Sequence, residues 1–151
     1  MPTHAEKRIV PYTAQQMFDL VADVGHYPAF LPWISAARVR MRTEREDGTV
    51  AMEADLVVSF KVFRETFGSR VVLDPGKMRI DTSYLDGPFK YLKSYWVFRD
   101  LGEKSEIEFF VDFEFKSAVL QKLIGVVFNE AMRRSVKAFE DRAAALYGGG
   151  G

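Results

Sequence analysis

Glu53 and Asp55 are the first side chains whose type and spacing could support general acid–base chemistry. Their neighbours argue against it. Met52, Ala54, Leu56, Val58 and Phe60 alternate with the polar positions, so both carboxylates fall on the outer face of a half-buried strand. A solvated charge ladder is the ordinary outcome there. Glu106, Glu108, Asp112 and Glu114 repeat the pattern, and Lys93 and Arg99 are placed to pair with them across strands at about 0.2–1 kcal/mol a pair. His26 has no Ser or Cys nucleophile at motif spacing, and His4 falls on a different element. The chain has no cysteine, which removes disulfides, thiol catalysis and zinc–thiolate sites. No glycine-rich phosphate loop follows a strand. Arg38, Arg40 and Arg42 alternate on one strand face, with Arg45 near its end. They form either a face balanced by nearby acids or a salt-sensitive surface for anionic headgroups or RNA.

The chain is rich in apolar bulk instead. Its 151 residues include 13 Phe, 6 Tyr and 2 Trp, while 21 basic and 21 acidic residues cancel. Zero net charge argues against nucleic acid as an obligatory partner. Only Ser69, Thr82, Ser94 and Glu65 add polarity to the inward faces, too little for an acid–base active site.

The elements follow from period and punctuation. Thr3 to Val10 reads as a strand ended by Pro11. Thr13 and Gln16 form a capping box for a helix to about Asp23. Asp23 to Trp33 is a compact apolar segment broken by Pro28 and Pro32, either a plug for one end of the core or a gate over a cavity mouth. Six alternating strands follow, separated by short turns such as Asp47-Gly48, Asp74-Pro75-Gly76 and Asp86-Gly87-Pro88. In the first of them Ala37, Val39, Met41 and Thr43 are expected to face inward. Ser117 to Tyr147 reads as one long helix, capped by Ser117 and ended by glycine. Phe128, Met132, Val136, Phe139, Ala143 and Leu146 share its buried face. In its first half Val119, Leu123 and Val126 point elsewhere, so something besides the sheet is expected to touch them. This order predicts an α+β fold: a seven-stranded curved antiparallel sheet wrapped around a long C-terminal helix, with two short helices after the first strand. Residues 1–147 are expected to form one domain and Gly148 to Gly151 a flexible tail.

The order resembles the helix-grip fold of the START and Bet v1-like superfamily. Asp23-Val24 with Tyr27-Pro28 and Phe30-Leu31-Pro32-Trp33 resembles the signature loop of the coenzyme Q-binding, polyketide cyclase/dehydrase-like START family. Gly87-Pro88-Phe89-Lys90 with Leu92 and Trp96 resembles that family's sixth-strand motif, and Phe139-Glu140 with Arg142-Ala143 the end of its last helix. Ile34 and Ser94 depart from the pattern, where members often carry cysteine and glycine.

The resemblance implies a non-catalytic carrier that holds ubiquinone or another isoprenoid lipid for respiratory electron transport, with no cofactor required. It also brings a ribosome-association toxin that binds the large ribosomal subunit, and more distantly a polyketide cyclase. The expected cavity is roughly 300 Å³ or more. Its expected walls are Leu56, Phe60, Phe67, Leu92, Trp96, Ile124, Val127 and Phe128, with Tyr27, Phe30, Leu31, Pro32 and Trp33 as the gate. Val119, Leu123 and Val126 are expected to form a lip for a membrane, a second copy in a homodimer, or a lipid acceptor. The expected location is cytoplasmic or peripheral to the inner membrane.

Overall fold

The computed structural model describes residues 3–60 and 63–148, and the side chains of all of these except Phe60, Phe63, Val126, Val127, Phe128 and Asn129. Strand β1 (Thr3–Val10) leads into helix α1 (Ala14–Ala22). The Thr13 hydroxyl accepts from the Gln16 N–H at 3.1 Å, and the Gln16 side chain accepts from the Thr13 N–H at 2.9 Å. The capping box thus satisfies two donors that the helix start leaves free. Pro28 permits only a 3₁₀ turn, Val24–Ala29, in the apolar segment that follows.

Six strands come next: β2 (Ile34–Glu44), β3 (Val50–Phe60), β4 (Phe63–Asp74), β5 (Arg79–Asp86), β6 (Phe89–Asp100) and β7 (Ser105–Phe115). Each pairs antiparallel with its neighbour, and β1 returns beside β7, giving the order β1-β7-β6-β5-β4-β3-β2. Strict alternation of burial along β7 shows the two faces of the sheet.

Helix α2 (Ala118–Tyr147) packs on the inner face. The Ser117 hydroxyl accepts from the Leu120 N–H at 3.3 Å, and Gly148 (φ 97°) donates to the Ala144 carbonyl at 3.1 Å. Val136, Phe139 and Ala143 are buried, and Lys137 pairs with Asp141 on the solvent side at 3.2 Å. Leu146, expected on the buried stripe, is half exposed. The last turn meets Tyr12 and Gln16 through Tyr147 and leaves Leu146 outside.

Strand β1 carries polar side chains inward. Its register sets His4, Glu6 and Arg8 opposite Val111, Phe109 and Ile107 of the inner face. Arg8 donates to Glu6 at 2.9 Å and to Glu140 of α2 at 2.8 Å, and His4 Nε2 lies 2.9 Å from Glu6. An ionic chain therefore ties this edge strand to the helix.

Strand β2 departs from the expected alternation. Its register slips between Val39 and Met41, leaving Arg40 as the extra residue of a β-bulge. Val39 faces inward opposite Ala54, but beyond the bulge it is Arg42 that stands opposite Met52, while Met41 turns outward opposite Glu53. The three arginines do not share a face. Arg40 pairs with Asp55 at 3.2 Å on the outside, and Arg42 reaches the Met52 sulfur at 3.6 Å.

The outer ladder forms largely as expected. Arg99 meets Glu106 at 3.2 Å and Glu108 at 2.8 Å, and Lys90 meets Glu114 at 2.8 Å. The Arg99 guanidinium holds the Glu108 carboxyl below the usual carboxylate range. Lys93 stands opposite Asp112 in register, but that carboxylate takes the Thr3 and Tyr91 hydroxyls.

Gly87 (φ 135°) turns β5 into β6 against β4, where a Cβ would lie 2.7 Å from Phe67 Cβ and 3.0 Å from the Thr66 carbonyl. Gly87→Ala is expected to cost about 2–4 kcal/mol. Gly48→Ala, with positive φ but nothing within 4 Å, is expected to cost about 1 kcal/mol. Urea midpoints of the two variants measure the difference. Equal losses would mean that contact with Phe67 does not constrain the turn.

Candidate functional site

A cavity of about 270 Å³ lies between the curved sheet and α2. It is slightly smaller than the sequence suggests. Its floor is buried and aromatic: Phe67 from β4, Phe89 and Trp96 from β6, and Phe109, Phe113 and Phe115 from β7. These rings pack on one another, with Phe89 stacked on Phe115 at 4.7 Å and Trp96 tilted against Phe109 at 4.5 Å. Val136 and Phe139 close one end. Trp33, Ile34, Leu56, Val58, Ile124 and Met132 of the wall are only half buried, and from this we infer a mouth between the start of β2, the end of β3 and the first half of α2.

Six of the described lining residues carry a side-chain nitrogen or oxygen: Tyr27, Trp33, Thr82, Ser94, Trp96 and Ser135. Among the described residues none of the lining side chains is charged. The Ser135 hydroxyl is taken by its own helix, donating to the Ala131 carbonyl at 3.0 Å. The Tyr27 hydroxyl donates to the Val21 carbonyl, and burial pushes its phenol pKa well above the usual value. Thr82 and Ser94 are register partners on β5 and β6, so two small polar side chains stand side by side in an apolar floor. Such a wall can orient one polar atom of an apolar molecule. It offers no base or nucleophile–base pair. Among the described residues no group of three His, Cys, Asp or Glu could hold a metal ion.

Of the residues singled out from sequence, Tyr27, Leu31, Trp33, Leu56, Phe67, Leu92, Trp96 and Ile124 line this cavity together. Phe30 and Pro32 do not. Phe30 packs outside it, 5.2 Å from Phe139 and 6.1 Å from Tyr27, with the Arg142 guanidinium 5.4 Å from its ring. Pro32 is exposed. The side chains of Phe60, Val126, Val127 and Phe128 lie outside the described residues, as do Gly149 to Gly151. Glu65 shares the inward register, opposite Val58, yet is exposed and does not reach the cavity. The buried Ser69 hydroxyl donates to the Ala54 carbonyl at 3.3 Å. Ala131, Ser135 and Phe139 were not expected in the site. They lie about two to four turns beyond Ile124 along α2, a continuation the helical period could have suggested.

The fold is the helix grip of START proteins. A START superfamily protein from Mycobacterium smegmatis superposes with a TM-score of 0.77 over 95% of this chain and 98% of that one, at 22% identity. Residues 10–140 match the family described as polyketide cyclase / dehydrase and lipid transport, and the chain belongs to that family. It is 40% identical over 139 residues to the ribosome association toxin RatA of Rickettsia prowazekii (strain Madrid E), covering 90% of this chain and 92% of that one. It is also 30% identical to the mitochondrial coenzyme Q-binding protein COQ10 homolog B of Xenopus laevis, over 96% of this chain but 59% of that protein.

The raised Tyr27 pKa has a sign. The folded state holds this phenol neutral above the pH, about 10, at which an unfolded tyrosine ionises. Its contribution is therefore fully present below about pH 10 and lost as pH rises beyond it. Tyr27→Phe should shed part of the alkaline loss of stability. Urea titrations at pH 8 and near pH 11 measure it, and unchanged slopes in the variant would show that Tyr27 ionises freely in the fold.

Proposed function

We propose that this chain binds one small apolar ligand, a quinone of the respiratory chain or another isoprenoid lipid, and leaves it chemically unchanged. The observation that carries the reading is a cavity that the described residues wall with aromatic and aliphatic side chains and without one charged group. Burial of apolar surface at roughly 25 cal/mol per Å² drives the ligand in. Thr82 and Ser94 orient its polar end. Volume bounds what enters. An apolar cavity of about 150 Å³ takes up one benzene, so 270 Å³ suits a ring with a short stub and leaves a long polyprenyl tail emerging at the mouth. The lipid transport named in the family description and the coenzyme Q-binding relative support this reading. No cofactor takes part, and the polyketide cyclase reading lacks an acid or base in the wall. The chain would work in the cytoplasm or at the inner membrane. Among the described residues no helix is long and apolar enough to cross a bilayer.

Ribosome association is the second reading, favoured by 40% identity to a relative of that name over 92% of its length. The basic strand supports it less than the sequence suggests, because Arg40 is engaged by Asp55 and Arg42 faces the other side.

Native mass spectrometry of the purified protein after lipid extraction and reloading with a short-chain ubiquinone tests the first reading. One ligand per chain is expected. Ala131→Trp, which fills the cavity from α2, should lower retention at least tenfold. Equal retention in Ala131→Trp would remove the cavity as the site. Co-sedimentation with large ribosomal subunits tests the second reading. Binding that survives Ala131→Trp but falls with Arg38→Glu/Arg45→Glu would favour it, and a protein that stays in the supernatant would end it.

A further inference from the structure

We propose that the first half of α2 seats the cavity mouth on an anionic lipid bilayer, an inference that rests on the ligand-binding reading above. Val119 is 76% and Leu123 51% exposed. Four residues apart, they share one side of the helix. Ile124, next to Leu123, is half buried and lines the cavity, so the exposed pair stands at its rim. The turn between β5 and β6 reaches the same end of the molecule. Its Pro88 carbonyl accepts the Lys116 N–H at 2.8 Å, and Leu85 beside it is 41% exposed. Single exposed leucines are ordinary. Three large apolar side chains near the mouth of an apolar cavity mark a contact surface.

Charge selects the occupant. From Lys116 to Asn129 the sequence holds two lysines and no acid. From Glu130 onward the same helix alternates sign, with Glu130 paired to Arg133 and Arg134, and Lys137 to Asp141. Lys116 and Lys122 are exposed and flank Val119 and Leu123. A two-fold dimer through this face would bring each lysine pair toward its own copy. A bilayer with anionic headgroups accepts apolar tips and cations together. A lipid tail too long for the cavity then need not cross water, because it emerges where the bilayer begins.

The test is flotation of the whole chain with phosphatidylcholine vesicles, with and without phosphatidylglycerol. The protein should float with the anionic vesicles alone, and less as salt rises. Lys116→Glu/Lys122→Glu should lower vesicle affinity on the order of twentyfold, the loss expected for two cations at an anionic surface. Leu123→Glu should lower it about tenfold. Both variants should melt as the parent does and retain the cavity ligand in native mass spectrometry. If Leu123→Glu fails to fold, the lysine pair carries the test alone. Absence of flotation by the parent, or flotation indifferent to the lysine reversal, overturns the docking and leaves the cavity reading standing. A parent dimer that Leu123→Glu converts to monomer overturns it too, by making the face a self-interface. Flotation by a chain that retains no ligand supports docking while the cavity reading fails.

Discussion

Phe139 is the contact on which the rest of the structure turns. Its ring meets Trp96 of the sheet at 5.0 Å, Tyr27 of the 3₁₀ turn at 5.3 Å and Phe30 at 5.2 Å, all edge to face. Edge-to-face pairs add about 0.5–1.5 kcal/mol each beyond the area they bury. Helix, sheet and loop therefore share one fixed point, well along α2. On its Tyr147 side Ala143 is fully buried, and Glu140 holds β1 through Arg8. On its Ser117 side Ile124, Ala131, Met132 and Ser135 line the cavity and leave it unfilled. The cavity is what remains between a pinned half and a propped half.

The wall chemistry follows from that geometry. A strand facing a helix at close range can fill the gap with side chains from both. A strand facing a gap cannot, so the large rings of β6 and β7 pack sideways on one another and form a smooth apolar floor. Among the described residues charged side chains are absent there for the ordinary reason that an unpaired charge facing an apolar space is costly. The ionic chain of His4, Glu6, Arg8 and Glu140 lies at the β1 edge, where each member has a partner. The proposed binding thus rests on how the sheet is covered.

Much of this was legible in the sequence because it depends on local period. Alternation along β7, the Thr13 box, the Ser117 cap and the glycine turns each record a backbone choice made by a few neighbouring residues. The β2 bulge was not legible. Arg38, Arg40 and Arg42 keep perfect alternation in sequence, yet one extra residue at Arg40 reverses every side chain after it. Nothing in that stretch marks the slip. A glycine or proline would have, and there is none. The inward charges of β1 were hidden for a related reason: apolar Ile9 alternates with Arg8, and only the pairing to β7 shows that Ile9 faces out. Phe30 misled because it is a ring in a loop of rings. Which rings face a cavity and which back them is settled by tertiary packing.

The surface can be read by the same logic of pairing. Along the outer sheet face Arg40, Arg79, Lys90 and Arg99 each have a carboxylate within 3.2 Å. Such pairs contribute little to stability at a solvated surface. Their larger effect is to cancel the field that a basic strand would project toward RNA or phosphate. A polyanion approaching that face would have to displace neighbouring carboxylates. Two further cations, Lys116 and Lys122, lie at the start of α2 among exposed Val119 and Leu123, in a stretch from Lys116 to Asn129 that holds no acid. Apolar tips and lysines therefore occur together at the start of α2, beside the opening of the cavity. A molecule that only stored its ligand would gain nothing from that coincidence, whereas one that exchanges it with an anionic surface needs both features at the same rim.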